Sequence, residues 1–160
     1  MTADPVELLR RRVEVAGRQL HAIPATGPGV FGSPDPETGE RWNAGNVLGH
    51  VAEMLEFWTG QARTILEGAS EAGRGTAGYE SRREGIDSGR ELAEADLRAR
   101  IESGIAELLA LLEAITPADL ERPIVYHARV GEQSLTLSQF LDQLLIGHLE
   151  SHARQLQELS

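Results

Sequence analysis

The stretch "GHLESHARQLQ", residues 147 to 157, places His148 and His152 four apart inside a run whose apolar positions recur at helical spacing. Residues four apart on a helix stand one above the other on the same face, with Cβ atoms about 5 to 6 Å apart. Two imidazoles placed this way can close on one divalent ion. The chain has only five histidines, and it sets these two in an inner stripe traced by Leu137, Phe140, Leu141, Leu144, His148, His152 and Leu159. Thr136 and Gln139 form a capping box that opens this last helix. Leu149 follows His148 where a zinc protease motif has Glu, so that motif is excluded.

A third histidine shares the pattern. After Asn43, a good N-cap, "AGNVLGHVAEMLEFWTGQARTILEG" reads as a second helix with Val47, Val51, Met54, Trp58 and Ile65 along one face and Gly68 as its stop. His50 falls three residues after Val47 and four before Met54, within that face. A neutral buried imidazole needs partners for both nitrogens, so three inward histidines in one small core are costly unless something common satisfies them. A metal ion does so. At 1.5 Å per residue, His50 lies roughly 9 Å from the start of its helix, and the His148–His152 pair roughly 10 to 17 Å from the end of theirs. The three come level if the two helices run antiparallel.

A lone inward histidine is usually a hydrogen-bonded core residue, and that plainer reading stands beside the ligand reading of the three together. His21, near a helix C-terminus where an imidazolium suits the dipole, and His127, in an irregular segment, read as non-ligands. Glu53 is three residues after His50: a fourth ligand, an orienting group or, the reading favoured by carboxylates in general, a solvated helix edge. Gln155, three after His152, is placed either to donate to a bound ligand or to sit at a bundle edge.

Two further helices complete the pattern. Asp4, Pro5 and Glu7 open the first, which runs to about His21 through Val6, Leu9, Val13, Ala16 and Leu20. Ser88 with Glu91 opens the third, which carries Leu92, Leu97, Ile101, Ile105, Leu108 and Leu112 before Thr116-Pro117 ends it. Between them "PATGPGVFGSPDPETGE" and "ASEAGRGTAGYESRREGID" read as long connections. In "ADLERPIVYHARVGEQS" an alternating patch, Ile124, Tyr126, Ala128 and Val130, reads as a short strand or an ordered loop. The fold class is therefore all-α: one domain, residues 1–160, forming a four-helix bundle. The connection between the second and third helices is long enough to cross the bundle, which gives up-down-down-up order and the antiparallel pair the histidines require.

Composition narrows the chemistry. The chain has no cysteine, so it has no disulfide, no thiolate ligand and no thiol nucleophile of its own; a metal must be held by His, Asp or Glu. A formal net charge of -10 sets nucleic acid aside as a partner. All 15 basic residues are arginine, and the triple Arg10, Arg11 and Arg12 reads as a solvated face. No apolar run approaches the roughly 18 residues of a membrane span, and "MTADPVELLRRR" turns charged before a signal sequence can form. The expectation is a cytoplasmic protein without a membrane partner. No Ser-His-Asp order and no phosphate loop is present.

"WNAGNVLGH" at 42 to 50, "LLALLEAITPADLERP" ending the third helix, and "GEQSLTL" leading into "HLESHARQL" together resemble the DinB-like superfamily of small helical bundles, which includes the YfiT-like proteins and the metal-binding domain of mycothiol-dependent maleylpyruvate isomerase. The resemblance implies an up-down-down-up bundle with a divalent metal, often zinc or nickel, held by His50, His148 and His152. Some members have Glu in place of the first histidine of the pair; this chain has His148. It further implies thiol-dependent chemistry: a low-molecular-weight thiol near the metal is transferred to an electrophilic small-molecule substrate or assists its isomerisation. Members often pair as homodimers. Two other functions stay open at this point, a metal-dependent hydrolase with Glu53 as its base and a non-catalytic metal-binding bundle.

Overall fold

The computed structural model describes residues 2–36 and 38–160; Met1 and Glu37, the latter within the connection expected over 24–40, lie outside it. Asp4 caps α1 (Pro5–Ala22) by accepting from the Val6 amide at 2.9 Å, a cap worth about 1 kcal/mol. Glu7 turns to Arg10 and Arg11 instead of completing a capping box. At the other end, Arg98 donates to the Leu20 and Ile23 carbonyls, satisfying acceptors that the end of a helix leaves free. In α2 (Ala44–Leu66) the side chains of Asn43 and Asn46 bond each other's backbone amides, and Val47, Val51, Met54, Trp58 and Ile65 are all buried.

The chain is mainly helical, as expected, but it is not helix alone. The connection read over 69–87 contains a strand, β1 (Glu71–Gly73), and a helix, α3 (Gly75–Ser88). α3 buries little apolar side chain; it nests on α2 through glycine. A Cβ on Gly45 would collide with the Gly89 carbonyl, and one on Gly49 with the Gly85 carbonyl, so the two backbones touch along facing G-x-x-x-G stripes. The Asn46 side chain fastens the contact, donating to the Ile86 carbonyl at 2.6 Å and accepting from Arg90 at 2.9 Å.

Ser88 ends α3 instead of capping the next helix, and Leu92 is exposed in the turn that follows. The next helix, α4 (Glu94–Ala114), starts after Ala93 with no side-chain cap and buries Leu97, Ile101, Leu108 and Leu112. The alternating patch divides: its first half lies in β2 (Pro123–His127), while Val130 sits in the turn to β3 (Glu132–Thr136), where Gly131 takes a positive φ of 81°. β2 is the central strand, parallel to β1 with Ala72 opposite Tyr126, and antiparallel to β3 with Val125 opposite Ser134.

Thr136 and Gln139 form the expected capping box, and the chain then runs through α5 (Leu137–Phe140), a π-helical turn (Leu141–Ile146) and α6 (Gly147–Leu159) without a break. The Gly147 amide bonds the Asp142 carbonyl five residues back. The wider turn takes up one extra residue and so rotates α6 by about 100° relative to an unbroken α-helix. His50 faces His148 and His152, while Trp58, further along α2, faces Phe140, further back in the last helix. α2 and α5–α6 are therefore antiparallel. Arg10 beside Glu113 and Gly17 beside Ile105 likewise set α1 antiparallel to α4. α1, α2, α4 and the last helix share one continuous buried cluster, and among the described residues no helix is long and apolar enough to cross a membrane. Arg12, expected on a solvated face, instead ties α1 to the last helix through Asp142 and Glu150, each at 2.7 Å.

Candidate metal centre

The antiparallel pairing brings together the three histidines that the sequence singles out. His50 is 1 % exposed and His152 9 %, and His148 is partly buried. His50 Nε2 lies 3.5 Å from His148 Nε2, and one nitrogen from each of the three rings falls within 4.8 Å of the others. Two ligands on a tetrahedral ion with bonds of about 2.05 Å stand about 3.4 Å apart, so the closest pair already has that spacing.

For His152 the outer nitrogen decides which lone pair faces inward. His152 Nδ1 donates to Gln155 Oε1 at 2.7 Å, which leaves Nε2 as the bare nitrogen. The Leu144 carbonyl, one turn back from His148, favours its protonated form against the burial that disfavours it. His152 Nε2 and His50 Nδ1 are buried with no hydrogen-bond partner among the described residues, each at a cost of roughly 1 to 3 kcal/mol if left so. Burial, reinforced by mutual repulsion, pushes His50 well below the ordinary imidazole value and holds His152 at about 3; burial also lowers His148. All three are neutral near pH 7, the form in which imidazole ligates. The donor set thus fits a borderline divalent cation.

Trp42 roofs the cluster, stacked on His152 with centroids 5.9 Å apart and edge-on to His50 at 5.2 Å. Its indole N–H donates to Glu40. Glu53 is not on a solvated edge. It is 6 % exposed, held by both terminal guanidinium nitrogens of Arg74 at 2.7 and 2.9 Å and by the Ser81 hydroxyl at 2.9 Å. Arg74 also lies over the Phe57 ring. A carboxylate bound in this way is neither a ligand nor a free base. Arg82 is half-buried, 6.0 Å from the Trp42 ring, and its charged form is disfavoured by burial and then by Arg129, Arg74 and Arg83.

His21 is exposed, and His127 pairs with Glu71 and Glu132 at the surface; both stand outside the cluster. Trp42, Arg74 and Arg82 are the site residues that spacing did not reveal. The two arginines lie in the Gly-rich run that reads as a connection, and only the opposed G-x-x-x-G pairs at 45/49 and 85/89 signal that this run returns along α2.

A mainly helical fold with three neutral imidazoles converging between antiparallel helices defines a class of histidine-triad bundles. The chain belongs to the DinB superfamily, whose family model matches residues 4–156. No curated protein sequence matches it. Among solved structures it is similar to the colibactin self-resistance protein ClbS, crystallised in complex with a dsDNA, at 13% identity and a TM-score of 0.64, covering 97% of this chain and 92% of that one. It is also similar to a structural-genomics protein from Streptococcus pneumoniae at 14% identity and a TM-score of 0.61, covering 99% and 93%.

ClbS corrects one expectation. Nucleic acid was set aside on net charge, yet a protein of this fold is crystallised with dsDNA. Net charge is a sum over the whole surface, whereas a nucleic-acid backbone meets one local patch. Here Arg82, Arg83 and Arg129, together with Glu80 and Glu84, line a single cavity within a chain of net charge -10.

Proposed function

We propose that this single domain, built on an up-down-down-up arrangement of its long helices, binds one divalent metal ion, zinc or nickel, through His50, His148 and His152. The reading goes on to a reaction: a low-molecular-weight thiol is activated beside the triad for attack on an electrophilic small molecule. The observation that carries it is the convergence of three neutral imidazoles within 4.8 Å. Three protein ligands leave at least one position open, which marks catalytic more than structural sites. The metal would supply Lewis acidity, lowering the pKa of a thiol or water held at that position. The chain's own part is to keep the three nitrogens unprotonated, orient His152 through Gln155, and exclude water with Trp42. The absence of cysteine is consistent with a thiol supplied from outside.

The hydrolase alternative has lost its only named base, since Glu53 is committed to Arg74 and Ser81. Contact with a nucleic-acid backbone is a second reading, supported by the ClbS complex and by the local arginines. The test is to load the protein with zinc or nickel and follow conjugation of glutathione, mycothiol or bacillithiol to a generic electrophile. A rate above background for one thiol, lost in His148→Ala, supports the reading. Background rates for all three would sink the thiol chemistry and leave a metal-binding bundle.

A further inference from the structure

Arg82 and Arg129 share a cavity of about 660 Å³ with Thr76, Tyr79 and Arg83, and with the exposed Glu80 and Glu84. That volume suits a small molecule. Arg83 is already paired, with Glu40 and Asp87. Arg82 and Arg129 are different: no carboxylate lies within ion-pair distance of either among the described residues. Their partners are aromatic faces, Arg82 over Trp42 at 6.0 Å and Arg129 over Tyr79 at 4.4 Å. A contact with a ring face uses none of a guanidinium's N–H donors, so they stay available to an oxyanion, which a guanidinium can bind bidentately. Arg82 is a half-buried cation beside Arg129, Arg74 and Arg83, with Glu40 acting against them from beyond ion-pair distance, and a bound anion adds to that relief.

Between the cavity and the histidines stands one side chain, Trp42, which contacts Arg82 and His152. We propose that Arg82 and Arg129 form the recognition site for the oxyanion group, carboxylate or phosphate, of the small molecule whose other end meets the histidine triad. Where that other end lies rests on the metal reading above; the anion site stands on the arginines and their cavity.

The test is isothermal titration of succinate and, separately, of inorganic phosphate into metal-free and zinc-treated protein at constant ionic strength. The expected result is saturable one-to-one binding of at least one anion, weakened tenfold or more in both Arg82→Gln and Arg129→Gln, with circular dichroism and melting unchanged. Which anion binds tells a carboxylate ligand from a phosphate one. Binding of neither, or binding equally tight in the two variants, overturns the proposal. So does a result in which only a 12-base-pair duplex binds and the two substitutions abolish it, since the arginines then serve a nucleic-acid backbone. Anion binding that survives His152→Ala in a protein that takes up no metal would support this site while the metal reading fell. Stoichiometric metal without anion binding would do the reverse.

Discussion

Gln155 Oε1 accepts a hydrogen bond from His152 Nδ1 at 2.7 Å, one turn further along the same helix. The bond fixes the ring's tautomer and aims Nε2 at His50 and His148. Groups that orient a ligating imidazole typically contribute 10- to 100-fold to metal affinity. Gln155→Ala is therefore expected to weaken zinc binding by about 10- to 100-fold, measured by chelator competition, with an unchanged circular dichroism spectrum. Unchanged affinity would show that His152 is held by its packing alone.

Gly147 makes the π turn possible. A Cβ there would run into the Asp142 carbonyl that its own amide bonds. Gly147→Ala should destabilise the fold by about 1 to 3 kcal/mol in urea titration, as overpacking does, and should also reduce metal content by rotating α6. A stable variant with full metal content would mean the histidines do not depend on the turn.

The Glu53–Arg74 pair is buried on both sides. Taking away one member leaves an uncompensated charge, so Arg74→Met is expected to cost about 3 to 5 kcal/mol in chemical denaturation. Arg74→Met combined with Glu53→Leu should recover much of that loss. If the double variant is no better than the single one, the pair holds α3 to α2 by more than charge.

Acid should unfold the metal-free protein through its histidines. Their folded-state values lie below 6.5, with His152 at about 3, so between these limits the unfolded chain binds protons that the folded chain refuses. Stability contributed by the neutral rings is complete above about 6.5 and is lost as pH falls towards about 3. Melting curves at pH 7.5, 6, 5 and 4 should show this decline, and it should be shallower in His152→Leu. An equal slope in that variant would assign acid sensitivity to carboxylates.

The strongly periodic segments were legible from sequence. α1, α2 and the last helix carry their own caps and apolar stripes, and Asp4, Asn43 and Thr136 act as read. The candidate triad was legible for the same reason: an i, i+4 pair and a third histidine within an apolar face have a position that helical geometry fixes. α3 was not legible because it is held by glycine backbone contacts rather than by buried side chains, and periodicity detects only the latter. The environment of Glu53 followed α3 out of view, since Arg74 and Ser81 reach it only once that segment folds back. The sheet was half-visible: β2 alternates, but β1 is three residues long and the turn after β2 continues the alternation without the strand. Net charge was no ground for setting nucleic acid aside, because a total carries no positions.

The most direct test of the account is metal content per chain, measured by mass spectrometry on untagged protein purified without an immobilised-metal column, beside His148→Ala. The account predicts close to one zinc or nickel per chain, absent from the variant. A wild-type protein that takes up no metal even after reconstitution would contradict it and leave His50, His148 and His152 as polar core residues of a DinB-superfamily bundle.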